Sequence, residues 1–431
     1  MKALRTLTSV VFAMMALAAN AQEGTWNGEL NVMGNKVPLV FNFSTNGCTI
    51  DSPSQGVNGI QAEKTVKDDG TISVKVGMIG ATFEGKMTDG EIKGTYVQNG
   101  FPLPLTLKPG KLVVKRPQTP VPPFPYKEES VSFTNAQYTF NGTLTLPENY
   151  SKNTPVVLMV TGSGQQNRDE ELFSHKPFAV IADALARQGI ASLRYDDRGW
   201  GDKSVNFADF TTDDFRQDAA AALPLLRKRF NKVGILGHSE GGTIAMMLAA
   251  EGKADFIVSL AGMAISGKET LIMQNRQAMT AIGLPKETVD SYCNSISKAL
   301  DEIASGKKAN EINIDDVPQA LKPITIKALQ QADTPYIRHF LTVDVGKLLP
   351  KIKCPVLALN GTKDTQVDCD ANTTRIEKGL ANCKHSIKKI DGVNHLFQHC
   401  NTGIVTEYQQ IEETISPEVL QEVAEWIKTN I

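Results

Sequence analysis

The strongest chemical signal in the chain is a serine on a predicted sharp turn. Ser239 lies at the centre of a Gly-x-Ser-x-Gly segment, between the predicted strand Lys232–Leu236 and the predicted helix Gly242–Ala250. Such a turn requires glycine on both sides of the serine, because side chains there would clash. It exposes the serine oxygen at a helix N-terminus, where developing negative charge is stabilised. We therefore predict that Ser239 is a nucleophile.

A serine nucleophile needs a base, and the base needs an orienting carboxylate. In sheets that carry this turn, the acid and then the histidine follow the serine, each after a later strand. Asp364 follows the apolar run Val356–Leu359, and His395 follows the next predicted strand. The order predicts a catalytic triad of Ser239, Asp364 and His395. Asp368 is a competing acid, but it lies farther from the end of the strand.

The oxyanion formed during acyl transfer needs two backbone N–H donors. One comes from the residue after the nucleophile, which is Glu240. The second is expected from the glycine-rich loop after an early strand, where Ser163 is preferred and Gly162 and Gly164 remain alternatives. This mechanism requires no metal and no organic cofactor, and the cysteines lack the paired spacing of a zinc site.

Around these residues the sequence alternates between strand-like and helix-like segments from about residue 127 onwards. This alternation is typical of an α/β fold with a mostly parallel sheet and helices on both faces. Residues 264–347 interrupt the pattern, because they contain helical segments and no convincing strand. We predict that they form a helical cap over the site, although a segment that only packs is the alternative.

The region before the α/β pattern has a different character. Residues 22–112 contain short alternating apolar runs separated by Gly, Asn and Asp turns, which predicts a small all-β sandwich or barrel. Residues 113–126 are rich in proline and predict a stiff linker before the α/β domain of residues 127–431.

The N-terminus has the pattern of a secretory signal peptide. Lys2 and Arg5 precede a short apolar run and the small residues Ala19-Asn-Ala21, so we predict export to the periplasm or beyond, with cleavage before Gln22. The apolar run is too short to span a bilayer, and no later segment is long enough. In an oxidising compartment, a local disulfide among Cys369, Cys383 and Cys400 would be plausible.

Composition excludes several classes of protein. The 431 residues include 45 Lys and Arg against 47 Asp and Glu, a formal charge of −2, and 41% are hydrophobic. This composition is typical of a globular protein of two or three domains, and it offers no basic surface for nucleic acid.

The charged turn at Arg194–Ser204 has two interpretations. Asp197 or Arg198 could contact the substrate, or the turn could be structural, and we favour the structural interpretation.

These motifs resemble those of secreted bacterial α/β-hydrolases of the carboxylesterase and serine aminopeptidase-like type. The resemblance covers about residues 128–431, and a β-rich N-terminal extension of the kind found in some such esterases precedes it. It implies a serine esterase (EC 3.1.1) that hydrolyses small, short-chain acyl esters. The motifs are Gly-His-Ser239-Glu-Gly-Gly, Gly162-Ser-Gly-Gln-Gln-Asn-Arg-Asp-Glu, Tyr195-Asp-Asp-Arg-Gly-Trp-Gly, Asn360-Gly-Thr-Lys-Asp and Gly392-Val-Asn-His.

Two alternatives to this interpretation remain. A serine peptidase (EC 3.4) with the same triad would need carboxylates to anchor a free α-amino group, and Glu170 and Glu171 are the candidates. In addition, the β-rich domain could bind glycan or the cell envelope, although a packing or folding role is preferred.

Overall fold

The structure is a computed structural model, and it describes residues 23–32, 35–45, 47–53, 57–98, 100–112, 115–281 and 283–431. The predicted export signal, residues 1–21, lies outside the described residues. The chain divides into two compact units between Lys115 and Arg116. Each unit has its own apolar core, so each is described separately.

The first unit is an antiparallel barrel, closed in the described residues by pairing of its first strand with its last. Aromatic side chains, among them Trp26, Phe41 and Phe83, fill its interior. The predicted all-β domain is therefore confirmed, and it is a barrel. Its strands are β1 (Gly24–Val32), β2 (Asn35–Ser44), β3 (Gly47–Ser52), β4 (Val57–Val66), β5 (Thr71–Val76), β6 (Ala81–Thr88), β7 (Glu91–Gln98) and β8 (Phe101–Pro109).

Six of these strands are predicted by apolar runs in the sequence, whereas no such run predicts β3 or β4. The runs are Leu30–Val32, Val37–Phe43, Ile72–Val76, Ala81–Phe83, Ile92–Tyr96 and Leu103–Leu107. In β4 the side chains are exposed or half-buried along the whole strand, so no apolar face marks it. In β3 the inward side chains are Cys48, Ile50 and Ser52, a set with little hydrophobic contrast.

The second unit is built on a sheet with the strand order β16-β15-β14-β13-β11-β12-β10-β9 in the described residues. Strands β11 to β16 pair in parallel, whereas β10 pairs antiparallel with both β9 and β12. The strands are β9 (Tyr126–Asn135), β10 (Tyr138–Pro147), β11 (Val156–Val160), β12 (Ala191–Tyr195), β13 (Val233–His238), β14 (Phe256–Leu260), β15 (Val356–Gly361) and β16 (His385–Ile390).

Helices cover both faces of this sheet, as the alternating pattern predicts. Apolar side chains of α2, α3 and α8 join the core on one face, and those of α1 and α9 join the core on the other. These helices are α1 (Pro177–Arg187), α2 (Thr212–Arg227), α3 (Glu240–Ala250), α8 (Cys369–Gly379) and α9 (Pro417–Asn430). No helix in the described part of the chain combines the length and the apolar character needed to cross a bilayer.

Between β14 and β15 the chain is helical and builds a small apolar core of its own. Tyr292 and Ile303 are fully buried in this core. The helices are α4 (Gly267–Ala281), α5 (Lys286–Ala304), α6 (Lys322–Ala332) and α7 (Pro335–Phe340).

The proline-rich stretch contains neither helix nor strand over residues 115–125. Its beginning is nevertheless bound to the second unit, because Arg116 donates to the carbonyls of Gln409 and Ile411 at 2.7 and 3.0 Å. Gln118 adds three bonds, donating to the Ile415 carbonyl and accepting from the amides of Thr414 and Ile415. These contacts tie residues 116–118 to the segment that precedes α9.

All six cysteines lie in the described residues, and each is a free thiol. The local disulfide considered among Cys369, Cys383 and Cys400 is therefore not formed in this structure. The Cys369 sulfur, at the start of α8, lies 3.8 Å from the Asn360 carbonyl, and the Cys400 sulfur lies 3.6 Å from that of Gly392.

Candidate active site

Ser239 occupies a strained turn between β13 and α3. Its backbone has φ 53° and ψ −119°, a conformation that a non-glycine residue adopts only when its surroundings impose it. The neighbours must be glycine: a Cβ on Gly237 would lie 2.0 Å from the Gly241 carbonyl oxygen, and one on Gly241 would lie 2.0 Å from that of Val160. The strand, the turn and the helix together hold the serine at the C-terminal edge of the sheet.

His395 and Asp364 lie on the loops after β16 and β15, and they form a buried pair. The Nδ1 atom of His395 is 2.7 Å from Oδ2 of Asp364. The other carboxylate oxygen accepts hydrogen bonds from the amides of Gln366 and Val367, both at 2.8 Å. These bonds hold the carboxylate in place, and the Nε2 edge of the imidazole is left for a reacting partner.

The competing acid, Asp368, has a different role in the structure. Its side chain caps α8 by accepting a hydrogen bond from the Ala371 amide at 2.8 Å. Side-chain oxygen atoms at this position satisfy the first amides of a helix. The structure therefore pairs His395 with Asp364.

The loop after β11 brings the predicted oxyanion residues beside Ser239, but some of its amides are already engaged. Gly162 N–H donates to Oε1 of Glu170 at 2.7 Å, and the Gln166 amide donates to Asp197 at 2.7 Å. Gly162 is therefore a poor candidate for the second donor. Ser163, which lines the same cavity as Ser239, stays the preferred prediction.

The side chain of Glu240 forms a polar contact that the sequence does not reveal. It is buried and accepts hydrogen bonds from Thr212 at 2.7 Å and from the Tyr336 hydroxyl at 2.5 Å. Burial raises the pKa of Glu240, and hydrogen bonds from Tyr336, Thr212 and Ser163 oppose that shift. Helix α7 is thereby linked to the residue that follows the nucleophile.

The ring of His238, the residue before Ser239, has a partner at each of its two nitrogens. Nδ1 lies 2.9 Å from Oε1 of Glu170, and Nε2 lies 2.9 Å from the carbonyl oxygen of His395. A histidine next to the nucleophile and a Glu in the oxyanion loop were the available signals, but only the fold brings them together.

The charged turn after β12 supports the loop of the site. The Arg198 guanidinium is buried and donates to both carboxylate oxygens of Asp218, at 2.8 and 2.9 Å. Asp197 accepts from the Thr161 hydroxyl at 2.8 Å as well as from the Gln166 amide. These contacts match the structural interpretation of the turn.

Ser239 and His395 open into one cavity of about 320 Å³, a volume within the usual range for small-molecule sites. Its apolar wall comes largely from the loops after β14, β15 and β16 and from helices α4 and α7. The apolar lining residues are Leu172, Met263, Leu271, Ile337, Phe340, Val367 and Leu396. The described residues contain no group of three or more His, Cys, Asp or Glu side chains placed to hold a metal ion.

Comparison with known proteins agrees with this geometry. The family model described as serine aminopeptidase, S33 matches residues 174–399, more than half of the chain, so the chain belongs to this family. The curated relative Esterase EstD from Thermotoga maritima is 28% identical over 305 residues, covering 69% of this chain and 68% of that protein. The chain is thus a serine hydrolase of the α/β-hydrolase fold, as predicted.

Other relatives are more distant. Serine hydrolase BPHL from Homo sapiens is 24% identical over 252 residues, covering 55% of this chain and 72% of that protein. Among solved structures, Est1E from Butyrivibrio proteoclasticus is similar at 16% identity, with a TM-score of 0.41, over 70% of this chain and 98% of that one.

Proposed function

We propose that the protein is an exported carboxylesterase that hydrolyses short-chain acyl esters through Ser239, His395 and Asp364. The observation that carries the proposal is that Ser239 and His395, whose Nδ1 lies against Asp364, line one small cavity with a mainly apolar lining. Among the relatives, the name of Esterase EstD supports ester hydrolysis.

The chemistry follows from the arrangement of the imidazole. Because Nδ1 is engaged by Asp364, Nε2 is the nitrogen that takes the proton of Ser239 as its oxygen attacks the ester carbonyl. The Glu240 and Ser163 amides bind the resulting oxyanion. Nε2 then returns the proton to the leaving alcohol, and water attacks the acyl-enzyme with His395 again as the base.

The surroundings of the candidate carboxylates favour an ester over a peptide with a free α-amino group. Glu170 is the one carboxylate among the described residues that line the cavity, and it is buried and engaged by His238 and Gly162. Glu171 is half-exposed and lies 3.6 Å from the Lys176 ammonium. Neither carboxylate is presented to a substrate ammonium, so the peptidase is the weaker alternative.

The helical segment 264–347 acts in this proposal as the cap of the acyl site. Leu271 and Gln274 of α4, and Tyr336, Ile337 and Phe340 of α7, form part of the cavity wall. A cavity of about 320 Å³ with these side chains at one side fits a short acyl chain and limits a long one.

Export with cleavage before Gln22 belongs to the same proposal and rests on the charge and apolar pattern of residues 1–21. Mass spectrometry of the protein from its native host should give Gln22 as the first residue, and a chain that retains Met1 would contradict export with cleavage at this site.

Pull-down of the Ser239→Ala chain on polysaccharide and envelope fractions tests whether the barrel binds glycan or the cell envelope.

The central test replaces the nucleophile. Ser239→Ala should lower turnover of p-nitrophenyl acetate by at least about 10³-fold, because acyl transfer then lacks its nucleophile. Ser204→Ala, an exposed serine in a surface turn, is the matched control and should keep full activity. A panel of esters of increasing acyl length, compared with aminoacyl anilides, separates esterase from peptidase. Full activity of Ser239→Ala, or preference for the anilides, would refute the proposal.

A further inference from the structure

A second carboxylate–histidine pair lies directly behind the catalytic centre and takes no part in the mechanism above. Glu170 accepts two hydrogen bonds on Oε1, from the Gly162 amide at 2.7 Å and from Nδ1 of His238 at 2.9 Å. His238 then bonds through Nε2 to the His395 carbonyl oxygen at 2.9 Å. Three hydrogen bonds thus connect the oxyanion loop, the residue before the nucleophile and the loop of the catalytic histidine.

The partners of His238 determine its protonation. The carbonyl oxygen of His395 can only accept, so Nε2 of His238 must carry a proton. An ionised Glu170 can only accept, so Oε1, which also accepts from Gly162, meets Nδ1 through a second proton on the ring. In this charge state both ring nitrogens donate, and His238 is an imidazolium facing a carboxylate.

Electrostatics agree with this assignment. Only 7% of His238 and 3% of Glu170 are exposed, so an isolated charge on either residue would be strongly destabilised. Burial lowers the pKa of His238, but the charge of Glu170 and the hydrogen bonds to Glu170 and His395 outweigh it, so the pKa lies above its ordinary value. The two charges compensate one another inside the protein.

The imidazolium lies close to the catalytic base. The ring centroids of His238 and His395 are 4.7 Å apart. In the described residues, the titratable groups that face His238 are Glu170, His395 and Asp364, while α1, β14 and the segment after β16 contribute apolar side chains. The net charge of the His238–Glu170 pair therefore acts on His395 at short range, with little screening by solvent.

Glu170 holds this position at an energetic cost. Its φ of 53° is in the left-handed region, and its second oxygen, Oε2, is buried without a hydrogen-bond partner. Strained residues persist where the surrounding contacts over-determine them, and they cluster at functional sites. A residue needed only to fill space would require neither the strain nor the buried charge.

We propose that His238 and Glu170 form a positioning pair. The pair connects the oxyanion loop to the loop of the catalytic histidine, and its net charge beside His395 is zero. The inference rests on the proposed function, because it assigns a role relative to the catalytic His395 and to the oxyanion loop. It predicts an effect of defined sign on the pH profile, since an unbalanced charge at this place changes the proton affinity of His395 in the direction set by the sign of that charge.

The test uses the full-length protein and three variants. His238→Gln leaves the Glu170 carboxylate uncompensated, which favours protonated His395, so the acid limb of kcat/KM for p-nitrophenyl acetate should move to higher pH. The value of kcat should fall by about tenfold or more, with KM changed less than about threefold, because a buried hydrogen bond to a charged group is lost. Glu170→Gln should not shift the limb upwards.

The double variant Glu170→Gln with His238→Gln restores neutrality, so its acid limb should return to that of the wild-type protein even if kcat stays low. His399→Gln, at an exposed position, controls for the loss of a histidine as such. Identical limbs in all variants, or a double variant that keeps the upward shift, would overturn the proposal.

A measurement without substrate separates this inference from the proposed function. In ¹⁵N-histidine-labelled protein at pH 7, both ring nitrogens of His238 should show attached protons, with the resonances assigned by their loss in His238→Gln. A His238 ring with one unprotonated nitrogen would overturn the proposal whatever the activity. If Ser239→Ala retains turnover, the esterase mechanism fails, but this spectrum still reports the pair. If His238→Gln does not fold, the His238 ring resonances are assigned in the wild-type protein through their through-bond correlations to the backbone of residue 238, and the wild-type spectrum decides.

Discussion

At the scale of the residue, hydrogen bonds restrict each carboxylate near the site to a single role. Asp364 has both oxygen atoms engaged, one by His395 and the other by the amides of Gln366 and Val367. This arrangement holds Nδ1 of the imidazole against the Asp364 carboxylate. Asp368, four positions later, instead accepts a hydrogen bond from the Ala371 amide at the start of α8.

Asp364→Asn tests this difference. The amide group cannot hold the same tautomer of His395, so kcat for p-nitrophenyl acetate should fall by about 10⁴-fold, as is typical when the acid of such a triad is replaced. Asp368→Asn is the matched control, and it should change kcat by less than about twofold because asparagine also caps helices well. Equal losses of kcat in the two variants would mean that Asp364 is not the acid partner of His395.

The contact between His395 and Asp364 could be predicted from the sequence, because each residue follows a strand at a recognisable distance. The roles of Glu170 and of the His238 ring could not, because they depend on contacts between residues 68 positions apart in the chain. No local pattern marks such a pair. The side chain of Glu240 was missed for the same reason, since its partner Tyr336 lies 96 residues away.

At the scale of the element, helix α7 is connected to the nucleophile turn through the Tyr336–Glu240 hydrogen bond. Tyr336→Phe should destabilise the protein by about 1–3 kcal/mol, because a buried carboxylate loses a donor. That donor lowers the pKa of Glu240, and burial raises it. In the variant the folded-state pKa therefore rises further, and the folded protein binds its proton up to a higher pH than the unfolded chain does.

For a carboxyl group whose pKa is raised by folding, stability decreases as the pH rises from the unfolded pKa towards the folded one. The destabilisation by Tyr336→Phe should thus be larger at pH 8 than at pH 5, measured by urea unfolding. Tyr150→Phe, at a more exposed tyrosine outside the site, is the control. A loss that is equal at both pH values would mean that Tyr336 does not stabilise the Glu240 charge.

The elements themselves were predictable where burial is complete. Strands β11 to β15 are buried throughout and consist mainly of apolar residues, and they were predicted from that property. The hairpin β9–β10 was not predicted, because β9 alternates weakly and is largely exposed or half-buried. Strand β4 escaped prediction for the same physical reason.

At the scale of the whole molecule, one buried histidine couples stability to pH. His175 is fully buried between the Thr414 hydroxyl and the Tyr408 carbonyl, each 2.9 Å away, and so joins the loop before α1 to the segment before α9. Burial lowers the pKa of His175 to about 4. The folded protein therefore binds this proton less readily than the unfolded chain.

The sign of the effect follows directly. With the folded pKa below the unfolded value of about 6.5, stability is lost as the pH falls from 6.5 through 4, by up to about 3 kcal/mol. In His175→Gln this part of the loss should disappear, so urea unfolding at pH 7 and pH 4 should give a smaller difference than in the wild-type protein. His399→Gln serves as the control. An unchanged difference in His175→Gln would exclude His175 as the coupled group.

The cavity wall has a consequence for how such a protein can diversify. Ser239, Asp364 and His395, the residues of the proposed mechanism, follow strands of the central sheet, whereas Leu271, Ile337 and Phe340 come from helices inserted between two of its strands. These three side chains can be randomised in a library while the reactive groups keep their supports. Such a library should yield variants whose preference for acyl length differs and whose dependence on Ser239 does not.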